Sequence, residues 1–450
     1  MDSLKNAKQM INNHPASHIK VGVFDIDGIM LGKYLSKKKF ISALENGFNF
    51  CDVVLGWDSK DQLYDNVQHT GWHTGYPDAA LQILPETVRT IPFENNLPLF
   101  LCQFVGKSAG VCPRQVLQRV LQQAGQMDID VYAAFEYEFF MFAENADSVR
   151  DKKFAELRPF TPDHFGYSII RNSVHAELYH ELLSLAETMQ FPIEGIHTET
   201  GPGVIEAALA YCEGLKAADQ AALFKTFTKV FAQRRGLMAT FMAKWSPEFP
   251  GQSGHLHVSL RSKKTGKPLF FDASETHHMS KIQQYFVAGL QQLMPEFTAM
   301  MAPTINSYRR LIPDYWAPTH ATWGVENRTT ALRVIPGNEY SQRVEHRLPG
   351  ADANPYLVLA AVLAAGLWGI QQQIEPSTAV KGNAYALKDD SLVLPNNLWD
   401  ASQRLKESMV AKTFLGEEFV SHFVNTREWE VRQFRKHISS WELDRYFEII

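Results

Sequence analysis

Three short segments of this chain share one oddity: charged or polar residues recur at every second position within an otherwise apolar run. In AAFEYEFFMF they are Glu136 and Glu138; in SGHLHVSL, His255, His257 and Ser259; in SQRVEHRLP, Arg343, Glu345 and Arg347. On a strand, residues two apart point to the same face, so each segment presents one polar face. Solvent-facing antiparallel strands also do this, but three such faces dominated by Glu, His and Arg in one chain point to a site. Paired carboxylates in apolar surroundings are costly unless a cation neutralises them. Carboxylates with an imidazole suit a hard divalent ion such as Mg²⁺ or Mn²⁺, and no thiolate cluster argues for structural zinc. Arginines among those carboxylates would clamp a phosphate or a second carboxylate. Glu199 in IHTETGPG and Glu206 in GVIEAAL are further isolated acids. The pattern reaches a metal-dependent enzyme with an anionic substrate, and stops short of the reaction.

The elements that must carry these residues alternate along the chain. Val21 to Leu35 reads as two short strands, with Asp27-Gly28 suited to a tight turn, and Pro98 to Phe104 as another strand. Residues 56–78, rich in Gly, Asp, Trp, Tyr and His, read as a loop. Lys37-Lys38-Lys39 reads as a surface turn. Pro113 opens an amphipathic helix that stops at Gly125. Strands are predicted at 130–143, 193–197, 203–209, 254–260, 331–335 and 342–348. Helices are predicted at 173–190, 216–236, 280–298, 354–373, 398–408 and 415–436. The result is an α+β chain: a small β-rich N-terminal domain over residues 1–108 and a large domain over 109–450.

The 450 residues are 45% hydrophobic and 21% charged, with a net charge of −5. Nothing there favours nucleic acid or an anionic membrane as partner. Cys51, Cys102, Cys112 and Cys212 lie far apart, as reduced thiols of a cytoplasmic protein would. The polar N-terminus lacks a signal-peptide core. The apolar run Tyr356 to Ile370 is too short to span a bilayer and reads as a buried helix.

The segments EYEFF, GHLHVSL, PTINSYRRLIP, ENRTTALRVIP and RVEHRLPGADANPYL closely resemble, in order, the signature blocks of type I glutamine synthetases. The resemblance runs from the DIDG hairpin to the closing WELDRYFE. It implies a β-grasp-like N-terminal domain and a catalytic domain whose antiparallel sheet lines the active site. It also implies a cytoplasmic homo-oligomer of two stacked hexameric rings, with sites shared between neighbours, that uses ATP and two or more Mg²⁺ or Mn²⁺ ions per site. By position, Glu138, Glu199 and Glu206 would hold one metal and Glu136, His255 and Glu345 the second. His257, Ser259 and Arg343 match nucleotide-side positions. Arg310, Arg347 and the Gly251 backbone match the glutamate site, and Arg328 and Arg333 the residues that stabilise the phosphoryl group in transit. The implied reaction activates L-glutamate as γ-glutamyl phosphate, which a nitrogen nucleophile then displaces.

One departure bears on that nucleophile. Where the family has Tyr-Glu-Ala-Pro in the flap over the ammonium site, this chain reads Tyr315-Trp316-Ala317-Pro318. An indole removes a negative charge and a proton acceptor, and offers a face to an alkyl chain or an ammonium. The reading is a γ-glutamyl–amine ligase acting on an organic amine or polyamine. The alternative is a glutamine synthetase in which Asp58 and Glu199 supply the charge for ammonium; a non-catalytic homologue is the third. Two lesser departures fit the first. Tyr64, Trp72, His73 and Tyr76 around the Asp58 loop would line an amine entrance or else pack at a subunit interface, and Val204-Ile205 would make the amine and glutamate side less polar. The segment near residues 390–397 lacks the tyrosine loop adenylylated in some relatives.

Overall fold

Two β-sheets organise the chain, which the computed structural model describes over residues 2–450. The first gathers β1 (His18–Phe24), β2 (Met30–Ser36), β3 (Phe48–Cys51), β4 (Asp78–Ile83), β5 (Arg89–Ile91) and β6 (Leu97–Phe104). Its order is β2-β1-β6-β4-β3, with β5 also on β6; β1 and β6 run parallel and the other pairs antiparallel. The lysine run at 37–39 is not a turn: Ser36 caps the helix Lys37–Asn46, which buries Phe40, Ala43 and Leu44 against this sheet. Three polar lysines in a first turn hid that apolar stripe.

The β1–β2 turn is wider than a two-residue hairpin. Gly28 alone takes a left-handed φ, and the Asp25 carboxylate accepts the N–H groups of Asp27 and Ile29. Its tip rests on Asn354, whose amide donates to the Asp25 and Ile26 carbonyls while its oxygen caps the helix Pro355–Gln372. The N-terminal sheet is thereby pinned to the core helix of the larger part. A second staple joins them where His69 bridges the Ser108 hydroxyl and the Glu418 carboxylate, each at 3.0 Å. That order of groups resembles a hydrolase triad, but Ser108 is only 5% exposed, too closed to meet a substrate.

The second sheet contains β7 (Ile129–Phe142), β8 (Ile193–Thr198), β9 (Val204–Leu209), β10 (Cys212–Glu213), β11 (Met238–Thr240), β12 (Gly254–Ser262), β13 (Trp323–Val325), β14 (Leu332–Ile335) and β15 (Arg343–His346). The order is β13-β14-β15-β12-β7-β9-β8, with β10 and β11 also on β7; every pair is antiparallel except β13 with β14. Phe135, Tyr137, Phe139, Leu256, Val258 and Val344 leave its apolar face for the helical core. The predicted helix at 173–190 is two, Ile169–Val174 and Ala176–Thr188, broken at His175.

The helix Pro355–Gln372 is the only one among the described residues apolar and long enough to span a membrane, and it lies mostly buried in this core. It meets the helix Lys281–Met301 through two glycines: a Cβ on Gly369 would lie 2.2 Å from the Tyr285 carbonyl and 2.7 Å from Gly289. Gly369→Ala is therefore expected to destabilise by about 1–3 kcal/mol through overpacking, read as a lower urea midpoint with unchanged slope.

On the sheet's apolar side, His346 is buried with both ring nitrogens unpartnered, and burial pushes its pKa from 6.5 to about 3. His422 is also lowered to about 3, by burial and then by the neighbouring His69. Below pH 6.5 the unfolded chain binds a proton at each ring, whereas the folded chain resists until about pH 3. Stability present above pH 6.5 is lost as the pH falls through that window. The pair is expected to cost about 3 kcal/mol per pH unit; equal urea midpoints at pH 6.5 and pH 5 would overturn this.

Candidate active site

The alternating residues converge because of strand register. Arg333 on β14 lies opposite Glu345 on β15, which lies opposite His257 on β12. His255 on β12 faces Glu136 on β7, and Glu138 on β7 faces Glu206 on β9, itself opposite His197 on β8. One face of the sheet thus carries a diagonal band of acids, imidazoles and arginines. It floors a cavity of about 500 Å³.

Two groups in that band bring ligand atoms within 4.8 Å of one another: Glu136, His257 and Glu345, and His197, Glu199 and Glu206. His257 closes the first group, although the family resemblance placed it on the nucleotide side. His255 instead holds Nδ1 at 3.4 Å from Glu345 and leaves Nε2 buried without a partner. Burial, then Arg347, pushes the His255 pKa down to about 3, so the ring is a neutral donor. His197 was not singled out in the sequence; its Nε2 lies 3.3 Å from Glu206 and its Nδ1 3.7 Å from Glu199. Its signal was present, since it stands two residues before Glu199.

The acids cannot all ionise together. Burial, reinforced by Glu136, Glu138 and Glu199, raises the Glu206 pKa far above the carboxylate range, so Glu206 keeps its proton. Burial also raises Glu138, although the Ser253 N–H and hydroxyl both donate to it at 2.6 Å. Burial opposes ionisation of Glu136 too, but hydrogen bonds from His257 and Glu206 outweigh it and hold Glu136 well down. Crowded carboxylates, an imidazole nitrogen with no partner and a displaceable proton fit hard divalent cations.

The arginines flank the acids. Arg333 donates to Glu345 at 3.0 Å and to Glu326, and Arg347 donates to Glu345 from the other side. Arg310 is fixed by the carbonyls of Leu348 and Arg347 at 2.8 and 3.0 Å. A Cβ at Gly251 would sit 2.5 Å from the Ala243 carbonyl and 2.7 Å from Arg310, so only glycine fits that wall. Exposed Arg328 lines the cavity and also an adjoining cleft of about 510 Å³. His257, Ser259 and Arg343 line the cleft, and Glu136 and Arg333 belong to both spaces. Arg343 Nε donates to His257 Nδ1 at 3.3 Å.

Three aromatic residues line the cavity, Tyr167, Tyr315 and Trp316. Trp316, 56% exposed, adopts φ +59° and offers its carbonyl to Arg347. Tyr167, 68% exposed, stacks on His197 with ring centroids 4.3 Å apart; no strand pattern marked it in the sequence.

Other expected residues lie elsewhere. Asp58 accepts the N–H groups of Lys60 and Gln62 in its own loop and lines a different cavity, so one chain does not bring it to the acids. Tyr64 packs edge-on against Trp429, Trp72 against Tyr76, and His73 bonds the Gln68 carbonyl. Val204 and Ile205 join apolar clusters rather than the cavity wall, because β9 turns Ile205 to the core and seats Val204 among Phe140 and Phe142.

A family model described as glutamine synthetase, catalytic domain, matches residues 110–446. The chain is 47% identical to type-1 glutamine synthetase 2 of Dictyostelium discoideum, over 99% of this chain and 87% of that protein. It is 34% identical to glutamate–isopropylamine ligase of a Pseudomonas species, over 98% and 97%. A solved structure titled apo GmaS without ligand superposes with a TM-score of 0.85 at 26% identity, covering 98% of this chain and 99% of that one. The chain belongs to the glutamine synthetase family. It is an ATP-dependent glutamate ligase of that family, whose members use divalent metal ions.

Proposed function

We propose that this enzyme transfers the terminal phosphoryl group of ATP to the γ-carboxylate of L-glutamate, then joins the γ-glutamyl group to a primary organic amine. The observation that carries the choice of amine is Trp316: an exposed indole lines the cavity, on a left-handed backbone that costs a non-glycine residue about 1–3 kcal/mol. Tyr167 adds a second aromatic face beside Glu199. An aromatic pair next to a carboxylate suits an alkylammonium better than bare ammonium.

Glutamate is a poor acyl donor until its γ-oxygen carries phosphate. We assign Arg310, Arg347 and the Gly251 backbone to its carboxylates, and Arg328 and Arg333 to the charge that develops on the phosphoryl oxygens. Arg343, Ser259 and His257 border the cleft assigned to the nucleotide. Glu138, Glu199 and Glu206, with His197 beside them, and Glu136, His255 and Glu345, with His257 beside them, are assigned to divalent ions. Ions held there would neutralise charge on the phosphates. Glu199 accepts one proton from the alkylammonium. The free amine then attacks the acyl carbon, the bond from that carbon to the phosphate oxygen breaks, and the second proton leaves the nitrogen with the departing phosphate. Asp58 reaches such a site only from a neighbouring copy.

The shared-site, double-ring assembly implied by the family is supported by the apolar C-terminal segment, where Trp441, Phe447, Ile449 and Ile450 are exposed. Deleting residues 437–450 is expected to lower the particle mass in analytical ultracentrifugation; an unchanged mass would remove that support.

Incubation with ATP, Mg²⁺, glutamate and ammonia, isopropylamine, ethanolamine or putrescine, with ADP release as readout, tests the main reading. Preference for ammonia over every organic amine would instead establish the second reading, glutamine synthesis, which the 47% identity to a protein of that name favours.

A further inference from the structure

The loop between β11 and β12 carries a lysine that no acid meets. Lys244 is 7% exposed and makes no ion pair among the described residues. A buried ammonium is costly without compensating partners, and Lys244 finds two of another kind. Its Nζ donates to the Phe249 carbonyl at 2.7 Å and lies 4.4 Å from the centre of the Tyr315 ring. The negative face of the ring stands in for the missing carboxylate. The main chain of the same residue is held as well: the Lys244 N–H donates to Asn306 Oδ1 at 2.8 Å, and Asn306 Nδ2 donates to the Lys244 carbonyl at 2.7 Å.

These partners belong to three segments that wall the catalytic cavity. Phe249 leads into Pro250 and Gly251, Asn306 immediately precedes the helix Ser307–Arg310, and Tyr315 neighbours Trp316. Pro250, Gly251, Arg310, Tyr315 and Trp316 all line the cavity, and none of them lines the adjoining cleft assigned to the nucleotide. The flap is the segment most in need of a hold. Asp314 and Trp316 both take left-handed φ, +66° and +59°, and such backbone persists only where its surroundings fix it. Of residues 313–316 only Tyr315 is not exposed, and Trp316 meets Arg347 through a carbonyl 3.5 Å away, the limit of a hydrogen bond. Lys244 itself does not line the cavity. We propose that Lys244 is a positioning residue that ties the Tyr315–Trp316 flap to the Gly251 wall, and so sets the affinity for glutamate and for the nitrogen nucleophile without touching either. This rests on the assignment of that part of the cavity to those two substrates.

Lys244→Met, which keeps a long side chain and removes its charge and donors, tests this in the full assembled enzyme. The KM values for glutamate and for the nucleophile in use are expected to rise about tenfold, with the KM for ATP within about twofold of wild type. Chymotrypsin is expected to cut the Tyr315–Trp316 and Trp316–Ala317 bonds about tenfold faster, with cleavage after the exposed Tyr340 unaffected. A variant that merely folds less well loses kcat through a smaller active fraction and leaves every KM unchanged. That result, or a KM for ATP that rises with the others, overturns the proposal. If Lys244→Met does not fold, Tyr315→Leu removes the ring alone, and unchanged cleavage at Trp316–Ala317 overturns the proposal. A wild type that prefers ammonia overturns the organic-amine reading and not this one, because the KM for ammonia then becomes the readout.

Discussion

Glu345→Gln is expected to lower kcat by about 10²–10³, a loss read as ADP release under saturating ATP and glutamate. Glu345 is almost wholly buried between Arg333 and Arg347, with His255 at 3.4 Å. Burial alone would keep its proton on, but Arg347 and then the histidines hold its pKa down to about 2. The amide keeps the shape and removes the charge. It leaves two guanidinium groups short of a counter-ion, and breaking a buried ion pair costs about 3–5 kcal/mol of stability. The two losses separate experimentally, because activity can be assayed well below the melting midpoint. The rise in Tm that Mg²⁺ or Mn²⁺ gives the wild type is expected to shrink in the variant. A kcat within about tenfold of wild type would remove Glu345 from the proposed machinery.

Trp316→Glu is expected to change which nucleophile is used more than how fast glutamate is activated. The residue is exposed and its carbonyl, not its ring, meets Arg347. Glutamate tolerates a left-handed backbone no better than tryptophan does, so the backbone cost is unchanged. Removing the indole takes away a cation–π surface worth about 0.5–2 kcal/mol and supplies a carboxylate for ammonium. The ratio of kcat/KM for the preferred organic amine to that for ammonia is expected to fall about tenfold, since about 1.4 kcal/mol corresponds to that factor. Stability is expected to stay within about 0.5 kcal/mol, as for other surface changes. An unchanged ratio would mean that this position does not select the nucleophile.

The acidic band was legible in the sequence because a strand's side-chain period is two and register preserves it. Glu136, Glu138, His255, His257, Arg343, Glu345 and Arg347 all follow from that one rule. His197 obeys it as well, two residues before Glu199, and was passed over because a single His-Glu pair resembles an ordinary surface strand. Tyr167 left no such trace. It reaches the cavity from a loop with a left-handed backbone at its own position, where no periodicity operates. The helix at Lys37–Asn46 was hidden by its lysines, and the break at His175 by a helical spacing that continues across it. Which imidazole closes the group with Glu136 and Glu345 depends on side-chain rotation, on which sequence is silent. Asp58 shows another limit, since the cavity that it lines is set by how the two parts of the chain pack.

The register that assembles the acidic band also sets a timetable. β7 leaves the ribosome more than two hundred residues before β15, an interval of roughly 10–40 s at ordinary rates of synthesis. β8 and β9 arrive early and bring His197 with more carboxylate, from Glu199 and Glu206, whereas Arg333, Glu345 and Arg347 come last. A nascent sheet stopped at β12 would carry the crowded acids without the arginines that balance them. The N-terminal sheet, complete by Phe104, faces no such delay. The enzyme is therefore expected to emerge with its first part folded and its catalytic part held open until translation is nearly done.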